Sequence, residues 1–170
     1  MSDSVKILNN TVSSLTGFQI RKCPSIEVSG NIIDINDGHG IQLQSCANSI
    51  RVSNNKIKTS DTYSAYRIYL YYSSGTTIFP GLIENNVIYV YGSTSEAKSG
   101  IYLNFSKYQH IYHNTINLAE TDIDGSSLLI KDGDNIKVKN NIFYCSYAYA
   151  FENSNSTNIE LDYNNYYTNG

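Results

Sequence analysis

Seven copies of one motif, apolar-x-apolar-x-x-Asn-x-apolar, run the length of the chain, and such a repeat limits the fold more than any single residue can. The copies read VKILNNTV, IEVSGNII, IRVSNNKI, IKVKNNIF and IELDYNNY, with weaker copies GLIENNVI and QHIYHNTI. Their marker asparagines are Asn10, Asn31, Asn55, Asn86, Asn114, Asn141 and Asn164, separated by 21, 24, 31, 28, 27 and 23 residues. Those lengths suit one turn of a solenoid and are too short for a propeller blade.

Each copy joins two short segments that alternate apolar and polar residues, the period of strands and not of helices. Three residues before the marker stand Ile7, Val28, Val52, Ile83, Ile111, Val138 and Leu161; two after it stand Val12, Ile33, Ile57, Ile88, Ile116, Phe143 and Tyr166. Both columns are expected to face inward. A third segment follows, clearest as Gly17-Phe18-Gln19-Ile20, Gly40-Ile41-Gln42-Leu43 and Gly100-Ile101-Tyr102-Leu103, with further copies at Ile68–Leu70, Leu128–Ile130 and Tyr149–Phe151. Three strands per turn predict an all-β, right-handed parallel β-helix of about seven coils. It would span 1–170 as a single domain, whole or as a segment of a longer solenoid. A two-sheet sandwich would need hairpins, and the Asn-Gly or Asp-Gly hairpin signal is nearly absent between copies.

The marker asparagines are expected to turn inward at a bend and bond to one another in a ladder, satisfying amides that would otherwise be buried unpaired. The preceding column, Asn9, Gly30, Asn54, Asn85, His113, Asn140 and Tyr163, holds mostly residues tolerated at positive φ and reads as a left-handed bend, with Tyr163 the poor fit.

These copies resemble the degenerate repeats of the pectin-lyase-like parallel β-helix superfamily, closest in style to carbohydrate-binding and sugar-hydrolase repeat domains and NosD-like proteins. The resemblance rests on Gly40–Leu43 leading into Ile50–Ile57 and Gly100–Leu103 leading into Ile111–Ile116, and it covers nearly the whole chain. It implies the fold, and an extracellular or cell-surface setting. It leaves activity open, because that superfamily holds lyases, hydrolases, epimerases, adhesins and inert scaffolds.

Net charge of −3 with 16% charged residues supplies no basic field for nucleic acid, and no apolar run approaches the ~20 residues of a membrane span. The N-terminus carries no basic segment followed by an apolar one, so no export signal is legible. Function is therefore sought on outward strand positions and loops. Insertions at 59–66, 73–80, 91–99 and 119–127 are expected to make one side near the middle loop-rich. Tyrosines gather in the same region, among them Tyr63, Tyr66, Tyr69, Tyr71, Tyr89, Tyr102 and Tyr112. Tyr69 and Tyr102 hold one repeat position in adjacent coils. Together with Tyr71, Tyr89, Tyr112 and Arg67 they are the candidate carbohydrate-binding residues, since a phenol offers a sugar both an apolar face and a hydroxyl rim. The competing reading is that tyrosine simply suits half-exposed strands.

No catalytic residue is assigned. Glycosidases need two opposed carboxyls and lyases of this fold a Lys, Arg or His base. Arg51, Glu84 and His110 would support an enzyme only if they converged in one groove. Glu27 with Arg51, Lys137 with Glu160 and Lys139 with Asp162 read as cross-strand ion pairs. No cofactor is expected; Ca²⁺ at Asp34, Asp37 and His39, at Asp122 and Asp124, or at Asp132 and Asp134 is the cation reading set against ordinary Asp turns. A copper site by analogy with NosD-like proteins has three scattered histidines and no methionine pair to support it. Cys23 and Cys46 share a column with Ser73 and Ser106, either as a disulfide or, the favoured reading, as stacked thiols. Cys145 is expected buried with Ile35, Val90 and Leu118. The leading functional expectation is a non-catalytic carbohydrate-recognising module with a polysaccharide or glycan partner. The alternatives are a structural solenoid that self-associates end to end and a fragment of a polysaccharide lyase or hydrolase.

Overall fold

The computed structural model describes residues 4–60, 65–91, 98–119, 125–147 and 149–169. Alternation of side chains forces each short segment into an extended strand, and three families of strands stack along one axis. The first sheet holds β1 (Val5–Leu8), β4 (Ser25–Ser29), β7 (Ser49–Ser53), β10 (Gly81–Glu84), β13 (Lys107–Tyr112), β16 (Asp134–Lys139) and β19 (Thr157–Asp162). The second holds β2 (Thr11–Ser14), β5 (Ile32–Ile35), β8 (Lys56–Thr59), β11 (Val87–Val90), β14 (Thr115–Leu118), β17 (Ile142–Cys145) and β20 (Asn165–Thr168). The third holds β3 (Phe18–Arg21), β6 (Ile41–Gln44), β9 (Tyr66–Tyr71), β12 (Lys98–Asn104), β15 (Gly125–Lys131) and β18 (Tyr149–Ser154). Every pairing is parallel and joins equivalent strands of successive coils, as the right-handed parallel β-helix read from the repeat requires.

The two inward columns lie in the core, together with third-sheet residues such as Ile41, Leu43, Ile68, Leu70, Ile101 and Leu103. Val28, Val52, Ile83, Ile111 and Val138 are buried in the first sheet, and Ile33, Ile57, Ile88, Ile116 and Phe143 in the second. Leu161 and Tyr166, in the last coil, are exposed. One expected segment is displaced: Phe151 pairs with Leu128 and Tyr149 with Ser126, so the sixth third-sheet copy is 151–153 and not 149–151. The inward end of that copy is Asn153, which is exposed in the terminal coil, so the apolar cue that marks the other copies is missing.

The asparagine ladder is continuous. Each Nδ2 donates to the Oδ1 of the next coil's asparagine, at 3.0 Å for Asn10 to Asn31, 2.9 Å for Asn31 to Asn55, 3.0 Å for Asn55 to Asn86, 3.0 Å for Asn86 to Asn114, 3.0 Å for Asn114 to Asn141 and 2.8 Å for Asn141 to Asn164. The same Oδ1 accepts the backbone N–H of the preceding asparagine, and from Asn31 onward Nδ2 also donates to a backbone carbonyl one coil back. All seven residues of the preceding column have positive φ, including Tyr163 at 52°.

A second left-handed column follows the third sheet at Lys22, Ser45, Tyr72, Phe105, Asp132 and Asn155, with φ between 48° and 58°. Sequence reasoning missed it, because Lys, Tyr and Phe carry no signal for that conformation. Just beyond it, Cys46 N–H donates to Ser73 Oγ at 3.1 Å and Ser73 N–H to Ser106 Oγ at 3.3 Å, a shorter ladder along the expected Cys/Ser column. Cys23 and Cys46 are buried there as free thiols, and Cys145 is buried beside Leu118.

Candidate functional site

The third sheet presents an aromatic row. Tyr69 and Tyr102 are register partners, and their rings stack 5.1 Å apart at 8°. Tyr66 meets the Tyr102 ring edge-on at 4.5 Å, and His39 stacks on Tyr66 at 5.4 Å. His39 Nδ1 accepts the Tyr66 N–H at 3.1 Å, so this histidine closes one end of the row. Below the row, Gln19 donates to Gln42 at 2.7 Å. Beyond it, Tyr72 and Phe105 stack at 4.8 Å and 4° on the second left-handed corner, both exposed.

The expected tyrosine set is divided by the prism. Tyr69, Tyr71 and Tyr102 are on the third sheet, Tyr89 is on the second, where it stacks with Tyr91 at 5.7 Å, and Tyr112 is on the first. Tyr102 is only 7% exposed, because Tyr66 and Tyr69 cover its ring. Arg67 is a correction: it is fully buried, with Nη1 donating to the Ala65 carbonyl at 2.5 Å, and presents nothing to a ligand. Its position pairs with small residues of neighbouring coils, which leaves an interior space that an outward reading of β9 overlooks. Tyr63 lies outside the described residues.

Burial raises the Tyr69 phenol and, more strongly, that of Tyr102. Where the unfolded chain ionises near pH 10 and the folded chain does not, the folded state holds more protons, so stability falls as pH rises past that value and is fully present below it. Melts followed between neutral pH and pH 11 should drop above about 10, and Tyr102→Phe should flatten that drop; an unchanged profile in the variant would show that the row does not control it.

A groove of about 220 Å³ opens beside the row. Tyr66, Leu129 and Tyr149 give it apolar surface, and Lys98, Ser126 and Glu152 its polar groups. Ser126 Oγ lies 3.4 Å from Ser99 Oγ and donates to Glu152 Oε2 at 3.2 Å. Of these residues only Tyr66 belonged to the expected tyrosine cluster. Glu152 escaped sequence reasoning because the sixth third-sheet copy was read out of register, and Ser126 because it was assigned to the 119–127 insertion although it lies in β15.

A second groove, of about 370 Å³, lies on the first sheet and is lined by Tyr108, His110, Lys137 and Glu160 among others. Burial and the neighbouring Lys137 ammonium lower the His110 pKa, against the opposing pull of Glu160. Arg51 and Glu84 are not in this groove. They form an ion pair of their own at 2.6 Å, so the convergence of Arg51, Glu84 and His110 required by an enzyme reading is not found. The other expected pairs are present: Lys137 to Glu160 at 3.3 Å and Lys139 to Asp162 at 3.8 Å. Glu27 faces Arg51 in register but bridges to Lys6 at 3.4 Å.

With this geometry in view, comparison with known families gives one match: the family model described as periplasmic copper-binding protein (NosD) covers residues 1–170. The chain belongs to the NosD family. Neither the curated proteins nor the solved structures gave a match. The family's periplasmic description agrees with the expected setting outside the cytoplasm, and no helix among the described residues is long and apolar enough to cross a membrane.

Copper is implied by the family's description, and the described residues of this NosD-family chain do not fit it. No three of His, Cys, Asp and Glu gather among them. His39 Nδ1 already accepts a backbone N–H, His113 occupies the left-handed bend, and His110 faces Lys137. Cys23 and Cys46 direct their Sγ atoms to backbone carbonyls, and burial raises the Cys46 thiol, against the thiolate a soft metal needs. The expected calcium positions read as structural. Asp37 accepts the Gly38 N–H at 2.7 Å, Asp34 faces Lys58, and Asp134 is held by side chains of the next coil. Asp122 and Asp124 lie outside the described residues.

Proposed function

We propose that this NosD-family chain is a non-catalytic glycan-recognising module that acts outside the cytoplasm, through the third-sheet face and not through all the tyrosines singled out by position. The observation that carries the reading is the groove between Tyr66 and Tyr149, where apolar ring surface lies beside the Ser126–Glu152 hydrogen bond. A sugar ring demands that mixture: C–H faces pack on aromatics while hydroxyls exchange bonds with fixed donors and acceptors. Glu152, oriented by Ser126, offers a second carboxylate lone pair to a hydroxyl. Tyr69 and Tyr71, on the same strand as Tyr66, extend the surface along β9 and across the coil axis, whereas Tyr102 supports the row from within.

A glycan array followed by calorimetry on the best ligand tests this. Tyr66→Ala and Glu152→Gln should each weaken binding about tenfold, equivalent to ~1.4 kcal/mol, while Tyr89→Ala on the second sheet leaves it unchanged. Wild-type affinity in both third-sheet variants would remove this face from consideration.

A further inference from the structure

The first-sheet groove is built by a repeated backbone device. Tyr108, Asn135 and Asn158 sit inside strands β13, β16 and β19 yet have φ of 52°, 54° and 52°, and all three line the groove. A left-handed residue inside a strand is a bulge-like distortion, and such distortions re-aim side chains. Three in a row, in successive coils, turn one column into one cleft. The loop of Thr76 and Pro80 also lines it, held by Thr76 N–H to the Phe79 carbonyl and Phe79 N–H to Thr76 Oγ1, both at 2.9 Å.

The polar groups of this cleft are pre-aimed. Asp134 accepts from Asn135 Nδ2 at 2.7 Å, from Asn158 Nδ2 at 2.8 Å and from Thr157 Oγ1 at 2.8 Å, and these bonds lower its pKa. An ionised carboxylate only accepts, so it fixes both amides with nitrogen toward Asp134 and leaves each Oδ1 as the remaining polar end. Neither oxygen has a hydrogen bond among the described residues. Glu160, with one oxygen held by Lys139 and the other 3.3 Å from Lys137, adds only its remaining lone pairs as acceptors, and Lys137 a donor.

From this arrangement we propose that the first-sheet groove is a second saccharide site, so that one module holds two glycan segments on different faces of the prism. An acceptor-rich cleft with one ammonium and a ring wall suits a ligand carrying several hydroxyl donors. A simple anion would meet the amide oxygens, and a simple amine would meet Lys137. The bridging consequence rests on the third-sheet reading; the groove itself does not. Two sites on a rigid rod raise the effective concentration of the second segment once the first is bound.

The test uses the full chain with neutral oligosaccharides in calorimetry and a soluble polysaccharide in light scattering. Two binding events per chain are expected. Asn135→Leu with Asn158→Leu should weaken one of them about tenfold, or ~1.4 kcal/mol, and spare the other, and Asp134→Ala, which releases both amides, should weaken the same event. Tyr66→Ala should weaken only the other. Protein-induced clustering of the polysaccharide should fall with either set. Unchanged binding in the double variant, with its melt intact, overturns the groove. If Tyr66→Ala changes nothing but the double variant loses binding, the third-sheet reading fails and the groove stands. A lone response to polyamines would assign the cleft to cations and overturn the saccharide class.

Discussion

Asn86→Ala is expected to destabilise the folded chain by about 4 kcal/mol, because buried groups left unpaired cost ~1–3 kcal/mol each. Asn86 is fully buried at the centre of the ladder. Its Oδ1 accepts both the Asn55 N–H at 3.1 Å and Asn55 Nδ2 at 3.0 Å, and its Nδ2 donates to the Val52 carbonyl at 2.9 Å and to Asn114 Oδ1 at 3.0 Å. Alanine removes all four bonds at once and strands groups on both neighbouring coils, where water has no access. Asn10→Ala is the matched control. That residue is exposed at the end of the same ladder, where solvent replaces what is lost, and its cost should stay below ~1 kcal/mol. Urea unfolding of the two variants checks the prediction, and equal costs would show that burial along the ladder does not set its energetic worth.

Phe143→Ala should cost a similar amount, about 4 kcal/mol, as expected for a buried aromatic whose cavity cannot close. Phe143 is the largest member of the inward second-sheet column before the end. It is fully buried, is paired with Ile116 and Tyr166, and its ring is 5.7 Å from that of Tyr166. In a solenoid each coil contacts mainly its neighbours, so the damage stays local. Hydrogen exchange should therefore show β19 and β20 losing protection first while β4 to β11 keep theirs. Uniform loss of protection along the whole chain would show instead that the coils unfold as one unit.

The grooves were less legible than the coil. Asn135 and Asn158 stand six residues before Asn141 and Asn164, and Tyr108 six before Asn114, so aligning the copies beyond the eight-residue motif would have exposed this column. Its positive φ would not have been seen, because an Asn in a strand context reads as a solvent-facing polar residue. Arg67 shows the opposite error. Alternation along β9 gives no hint that a long cationic side chain fits inside, since the space comes from small residues one coil away. Tyr69 and Tyr102 were aligned correctly, but their mutual stacking and the edge of Tyr66 determine how much ring is left for a partner.

By itself the sequence determined the coil, the two inward columns, the asparagine ladder and its left-handed bend. These follow from short-range alternation and from one residue type at one repeated position, and every copy states them again. Only the tertiary structure decided which outward residues share a groove, where the second left-handed corner lies, and which tyrosines are covered. Those depend on contacts between coils of unequal length, whose relative register no single copy contains, and on the packing of loops against faces that the repeat leaves unspecified.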